Sequence, residues 1–345
     1  NGLIYNLWAP ILSNDDEPPF IKIDHCTFTN ANLIPADATL RLTNSTFNDS
    51  IAWMNRGYFF LDNLSFDSGS LTLGREQQNV HIDNIAVQNA PRAAITVGGD
   101  NNGNDYFFGP NNVLVNNGYP AAATGGILAG SVLPQTGNAV NAVLVDPGET
   151  EIRGPVNWQD PGIPYHVSPA NHLFLEAEVN MHAGVTMKFP AGIAIRESND
   201  FSTLGRPEDP VRLEALSGQW WAAWTPVRME HTVVSNSQQG VINAVGLPGY
   251  FDSCVFTNNG RGLVGAAVVR KSQFLNSAVG ADVSATLDLN GETNPNSFVG
   301  NGLAVQSATD ARFNWWGHLT GPTASQNPGG QGDPVSSGVP VIPFR

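Results

Sequence analysis

Seven times along this chain an apolar residue is followed by two polar ones, a small or apolar one, any residue, and then Phe or Val. The copies begin at Ile23, Leu42, Leu61, Ile82, Met229, Phe251 and Val269, spaced by 19, 19 and 21 residues in the first cluster and by 22 and 18 in the second. In a strand the inward residues lie at i, i+2 and i+4. Here Ile23 is followed by Cys26 and Phe28, a step of three and then two. The polar pair Asp24-His25 absorbs the phase change, so it forms a corner. The equivalent pairs are Thr43-Asn44, Asp62-Asn63, Asp83-Asn84, Glu230-His231, Asp252-Ser253 and Arg270-Lys271. A second corner is expected two residues after the aromatic, at Asn30, Asp49, Ser68, Asn89, Asn236, Asn258 and Asn276. Asn dominates there because it tolerates left-handed backbone angles and bonds its own backbone in turns.

Short strands, corners at fixed offsets and a period near 20 predict an all-β chain wound as a single-stranded parallel β-helix. At about 20 to 25 residues per rung the chain has room for roughly 12 to 15 rungs. Equivalent positions then stack as ladders: Phe28, Phe47 and Phe66 inside, and likewise Cys26, Ser45 and Leu64. Cys26 and Cys254 share one inward position on distant rungs, beyond the roughly 7 Å a disulfide spans, so both are expected as free, buried thiols. Residues 1–136 hold the first repeat cluster, with a Gly- and Asn-rich stretch at 98–136 expected as a protruding loop or an irregular rung. Residues 137–345 form a second section continuous with the first.

Abundant Gly (36) and Pro (24) suit a turn-rich solenoid. A net charge of -14 argues against nucleic acid and anionic membranes as partners. No stretch is apolar enough to span a bilayer. With only 13% charged residues and much Asn, Ser and Thr, the chain reads as secreted or displayed at a cell surface. It opens at Asn1 in solenoid-like sequence, which suggests a processed piece, with further rungs or a partner chain expected before that end.

A family resemblance enters from residue 137. GNAVNAVLV, IPYHVSPANHLFLEAEVNMHAGVTMKFPAGIAI and GRPEDPVRLEAL resemble a module of bacterial right-handed parallel β-helix proteins. DARFNWWGHLTGP followed by NPGGQGDPVSSGVPVIPF resembles the terminal rung and cap of the same pectin-lyase-like group. The resemblance covers residues 137–225 and 310–345 and implies a right-handed coil with Trp315 and Trp316 packing the last rung. Because that group contains lyases, glycosidases and adhesins, the fold names no single activity. IDHCTF also resembles the W-I-D-H strand of pectate lyases. Asp24-His25 is nevertheless one of seven corner pairs, and the lyase R-x-P-x-x-R motif is absent: Arg206-Pro207 lacks the following Arg.

Three sets of residues could carry function. The outward position before each repeat's first apolar residue reads Lys22, Arg41, Phe60 and His81, then Arg228, Tyr250 and Val268. Cationic and aromatic side chains in such a ladder can stack on and hydrogen-bond a sugar chain. Trp220, Trp221 and Trp224 form a second glycan-contact candidate, since neighbouring strand residues point to opposite faces. Residues 100–105 (DNNGND) place oxygens at Asp100, Asn102, Asn104 and Asp105, as in the opening of a calcium loop; calcium is the one cofactor this suggests. The alternative there is a polar turn held by Asx bonds.

The favoured reading is a non-catalytic β-helix for adhesion, scaffolding or binding of an extracellular polysaccharide or surface glycan. The alternative is a polysaccharide lyase or glycoside hydrolase. Lys22, Arg41 or His81 would then serve as base or carboxylate neutraliser, while a clean carboxylate pair for hydrolysis is not evident.

Overall fold

The computed structural model describes residues 20–345 apart from 75–79, 99–105, 124–135, 146–155, 169–172, 176–177, 191–194, 198–199, 216–219, 224–226, 244–247, 283–292 and 309. The described residues contain no helix. Their parallel strands stack as a β-solenoid of about 9 turns. The chain divides into two compact units, 1–166 and 167–345.

In the first unit one face is built from Phe20–Asp24, the first half of the rung strand in Ala36–Asn48, and the middle of Ile51–Asp67, paired in parallel with no slip. The chain then turns at the first corner onto a second face. Here Thr27–Thr29 and the ends of the two long strands stack with Ile85–Gln88 and Val113–Val115. Past the second corner the third face stacks Ile51–Met54 of the long strand, Ser70–Leu73, Ala93–Val97, Tyr119–Ala123 and Val143–Val145.

The second unit repeats the plan. Its faces carry Val179–His182, Phe201–Leu204, Val227–Glu230, Gly249–Asp252 and Ala267–Arg270; then Thr186–Phe189, Val211–Ala215, Thr232–Ser235, Val255–Thr257, Gln273–Leu275 and Ser297–Val299; and Leu173–Leu175, Ile195–Glu197, Trp220–Ala223, Gln239–Asn243, Arg261–Gly265, Val279–Asp282 and Leu303–Ser307.

Both corners fall where the phase shift requires. Left-handed φ angles occur at His25, Asn44, Asn63, Asn84, His231, Ser253 and Lys271, and at Asn30, Asp49, Ser68, Asn89, Asn236, Asn258 and Asn276; Asn116 and Phe313 are the other non-Gly cases among the described residues. Behind the corners the apolar ladders fill the interior. Phe28, Phe47 and Phe66 stack with ring centroids 4.5 Å apart. Phe256, Phe274 and Phe298 continue in the second unit onto Trp316, 4.9 Å from Phe298, so the buried Trp316 closes that column while Trp315 stays half-exposed.

Each corner would leave a backbone N–H buried inside the coil. On several rungs a polar residue just past the corner solves this by lending its side chain to the preceding rung. Cys26 N donates to Ser45 Oγ (3.2 Å), and Ser45 Oγ donates to Thr43 O (2.7 Å). Where Asn stands at this position it does both jobs. Asn259 Oδ1 accepts from Ser237 N (2.9 Å) and its Nδ2 donates to Val234 O (3.0 Å). Asn112, Asn117, Asn296 and Asn301 repeat the arrangement.

The structure departs from the sequence reading in the number of turns and in the burial of Cys26, and it decides between two readings of 98–136. The turns number about 9, not 12 to 15, because the third corner widens. Ile85 and its partner Asn112 lie 27 residues apart, and the register partners Thr203 and Met229 lie 26 apart. Of the two readings of 98–136, a protruding loop or an irregular rung, the described residues give a rung, with strands Tyr106–Phe108, Val113–Val115 and Tyr119–Ala123. Residues 99–105 and 124–135 of it lie outside the described residues. Both cysteines are free, but only Cys254 is buried; Cys26 is half-buried on the first described rung.

Two outcomes follow from these contacts. Asn259→Ala strands two buried backbone groups at about 1–3 kcal/mol each, so urea titration should show unfolding free energy lowered by roughly 2–6 kcal/mol. In the folded protein, a thiol-specific disulfide reagent should titrate Cys26 and leave Cys254 untouched until denaturant is added, because burial pushes the Cys254 thiol up to about 12.

Candidate functional site

On the first face of the first unit, strict register sorts the outward side chains into columns. Phe20, Thr39 and Tyr58 form one, Lys22, Arg41 and Phe60 the next, and Asp24, Thr43 and Asp62 the last before the corner. Neighbours in a column are about 4.8 Å apart, the spacing of paired strands. Phe20, Tyr58 and Phe60 are 63%, 60% and 61% exposed. Single exposed apolar residues are ordinary on protein surfaces. Three large rings on two adjacent columns make a patch of the kind that marks a binding surface. Two of these rings border a groove of about 500 Å³ lined by Phe20, Arg41, Thr43, Phe60 and Asp62, together with Phe59 and Leu61.

The charges on this face are available to a ligand. Among the described residues neither Lys22 nor Arg41 has an ion-pair partner. The same column in the second unit is different. There Arg228 is clamped by Glu230, with its Nη2 2.6 Å from Oε1. Its register neighbour Tyr250 accepts a hydrogen bond from Arg270 Nη1 (3.1 Å), and that guanidinium sits over the tyrosine ring. Val268, next in the column, offers no polar group.

Asp24 belongs to the corner. Its Oδ1 accepts from Thr43 Oγ1 (2.7 Å) and Asn44 Nδ2 (2.9 Å), and His25 Nδ1 lies 3.1 Å away. The ladder goes on with Asn63 Nδ2 donating to Asn44 Oδ1 at 2.7 Å. The Asp24-His25 pair that resembles a lyase strand is thus a capped turn with His25 at a left-handed φ of 52°.

Of the sequence-derived site residues, the structure joins Lys22, Arg41 and Phe60 in one column. It places His81 on Val80–Ile82 beside Phe107 of the next rung. Trp220 and Trp221 lie on one strand, but their register shifts against Gln239 and Val241, skipping Gly240, so simple alternation does not assign their faces. Trp224, Asp100, Asn102, Asn104 and Asp105 lie outside the described residues. Among the described residues no group of three or more His, Cys, Asp or Glu could hold a metal ion.

Phe20, Tyr58 and Asp62 are the site residues that the sequence reading passed over. The signal for Phe20 and Tyr58 was there: they stand two residues before Lys22 and Phe60, and period two puts them on the same face. Comparison with protein-family models, with curated proteins and with solved structures finds no match.

The corner makes a pH-dependent prediction. Hydrogen bonds from Asn44 and then Thr43 hold the Asp24 carboxyl at about 2, below its ordinary 3.8. A group depressed on folding favours the folded state above its ordinary value, and that contribution disappears as pH falls through about 2. Carboxyl NMR titration should therefore find Asp24 ionised well below pH 3.8, and Asn44→Ala should move its midpoint up toward that value.

Proposed function

We propose that this chain is a secreted or cell-surface β-solenoid that binds an extracellular polysaccharide, without turning it over, along the face carrying Phe20, Tyr58, Phe60, Lys22 and Arg41. The observation behind this reading is a groove lined by the exposed rings of Phe20 and Phe60 and by Arg41, which has no ion-pair partner among the described residues. Rings offer flat apolar surface to a sugar's C–H face. The guanidinium offers up to five donors to its hydroxyls. Parallel strands repeat both at a fixed step, which suits a polymer more than a small ligand. A right-handed coil of the pectin-lyase-like kind, of bacterial origin, belongs to the same proposal and rests on the 137–225 and 310–345 resemblance.

A panel of immobilised polysaccharides tests the proposal. At least one should retain the protein, and Phe60→Ala and Arg41→Ala should each weaken retention about 3- to 10-fold, the loss of one stacking or hydrogen-bonding group. Retention of none, or retention indifferent to both variants and to the double variant, overturns the assignment of this face. Release of reducing ends or unsaturated products, abolished by Lys22→Ala or Arg41→Ala, replaces binding with the lyase or glycosidase reading.

A further inference from the structure

Resting on that reading, we infer that the polymer held on this face is uncharged, a neutral sugar chain whose hydroxyls are gripped between Asp62 and Arg41 while its rings lie against Phe20 and Phe60. The inference comes from the local charge. Along the three paired strand segments of the face, Lys22 and Arg41 are balanced by Asp24 and Asp62, so the surface is neutral within one small area. Beyond it the chain carries a net charge of -14. A polyanion would approach against that field and then sit beside the Asp62 carboxylate, and like-charge juxtaposition discriminates against a ligand at short range.

The hydrogen-bonding capacity points the same way. Asp62 Oδ1 accepts from Asn84 Nδ2 at 2.9 Å; among the described residues Oδ2 has no donor. Arg41 uses none of its side-chain donors on the described residues. Both line the groove. An acceptor-only carboxylate beside a donor-only guanidinium matches groups that both donate and accept, which are hydroxyls. A carboxylate or sulfate ligand would leave Asp62 Oδ2 facing another acceptor. Asp24 is the less available acid, since Thr43 and Asn44 already donate to it.

The test compares a soluble neutral glucan and galactan with a uronate polymer, by titration calorimetry at low and at high salt. Expected are binding of a neutral polymer, affinity constant within about twofold across the salt range because no ion pair is screened, and about tenfold weaker binding in Asp62→Asn, which retains the Oδ1 acceptor for Asn84. Tighter binding of the uronate polymer, falling with salt and strengthened by Asp62→Asn, overturns the inference while leaving polysaccharide binding standing. Neutral binding indifferent to Asp62→Asn overturns the role of Asp62. Binding of no polymer removes this inference and the proposed function together. The wild-type salt comparison stands even if Asp62→Asn unfolds.

Discussion

A coil that turns inward-facing strands at every corner must find partners for the backbone groups it traps there, and the structure depends on how it does so. Buried N–H and C=O groups left without partners cost more than most packing gains return. Where the residue after the left-handed position is polar, as at Ser45, Ser50, Asn117, Asn259, Ser272 and Ser277, its side chain therefore serves as a plug. In the second unit these plugs form two continuous chains. Cys254 N donates to Ser272, Ser272 N to Asn296, and Asn296 N to Asn314. At the other corner Ser237, Asn259, Ser277 and Asn301 follow one another in the same way. The second chain ends on Asp333, whose carboxylate accepts from Gly300 N, Asn301 N and Asn301 Nδ2. In these two chains each rung supplies what the rung before it lacks, so the last rung needs a residue from outside the repeat.

That arrangement fixes register more firmly than the apolar ladders could alone. A one-residue slip moves every inward side chain outward, and here it would also unplug two corners. Because register is held from inside, the outward columns are free to vary from rung to rung without disturbing the fold. Arg41 and Arg228 occupy equivalent positions in the two units, yet one faces a groove and the other is tied down.

Much of this was legible in the sequence. The step of three and then two in each repeat forces two corners, and both left-handed positions follow from it. The stacked phenylalanines and the free thiols follow from the same alignment. Less legible was the rung at 106–123, which sits where the third corner expands and the spacing leaves the range of 18 to 22. Its marks are local: Asn111-Asn112 and Asn116-Asn117, five residues apart, each contribute a plug behind a turn. Asn-rich sequence reads as loop because the buried duty of Asn112 and Asn117 shows only when the next rung is in place. For Cys26, membership of the ladder was legible but burial was not. Its position stacks with Ser45 on one side, and the preceding residues, 1–19, lie outside the described part. At the site, the sequence marked the Lys22–Arg41–Phe60 column, but the second aromatic column and Asp62 required the register.

The corner chemistry also explains why Lys22 and Arg41 have no ion-pair partner among the described residues. In the second unit the residue two after Arg228 is Glu230, and it reaches back along the strand to close the pair. Two after Arg41 stands Thr43, a hydroxyl, and it donates to Asp24. Two after Lys22 stands Asp24 itself, an acid as well placed by sequence as Glu230. Its Oδ1 is taken by Thr43 and Asn44 of the next rung. The ladder that stabilises the corner thus engages Asp24 Oδ1 within the corner and puts a neutral side chain where Arg41 would find its partner. Substituting an acid at residue 43 would rebuild at Arg41 the closed pair of the second unit, so a single position separates a tied guanidinium from one facing a groove.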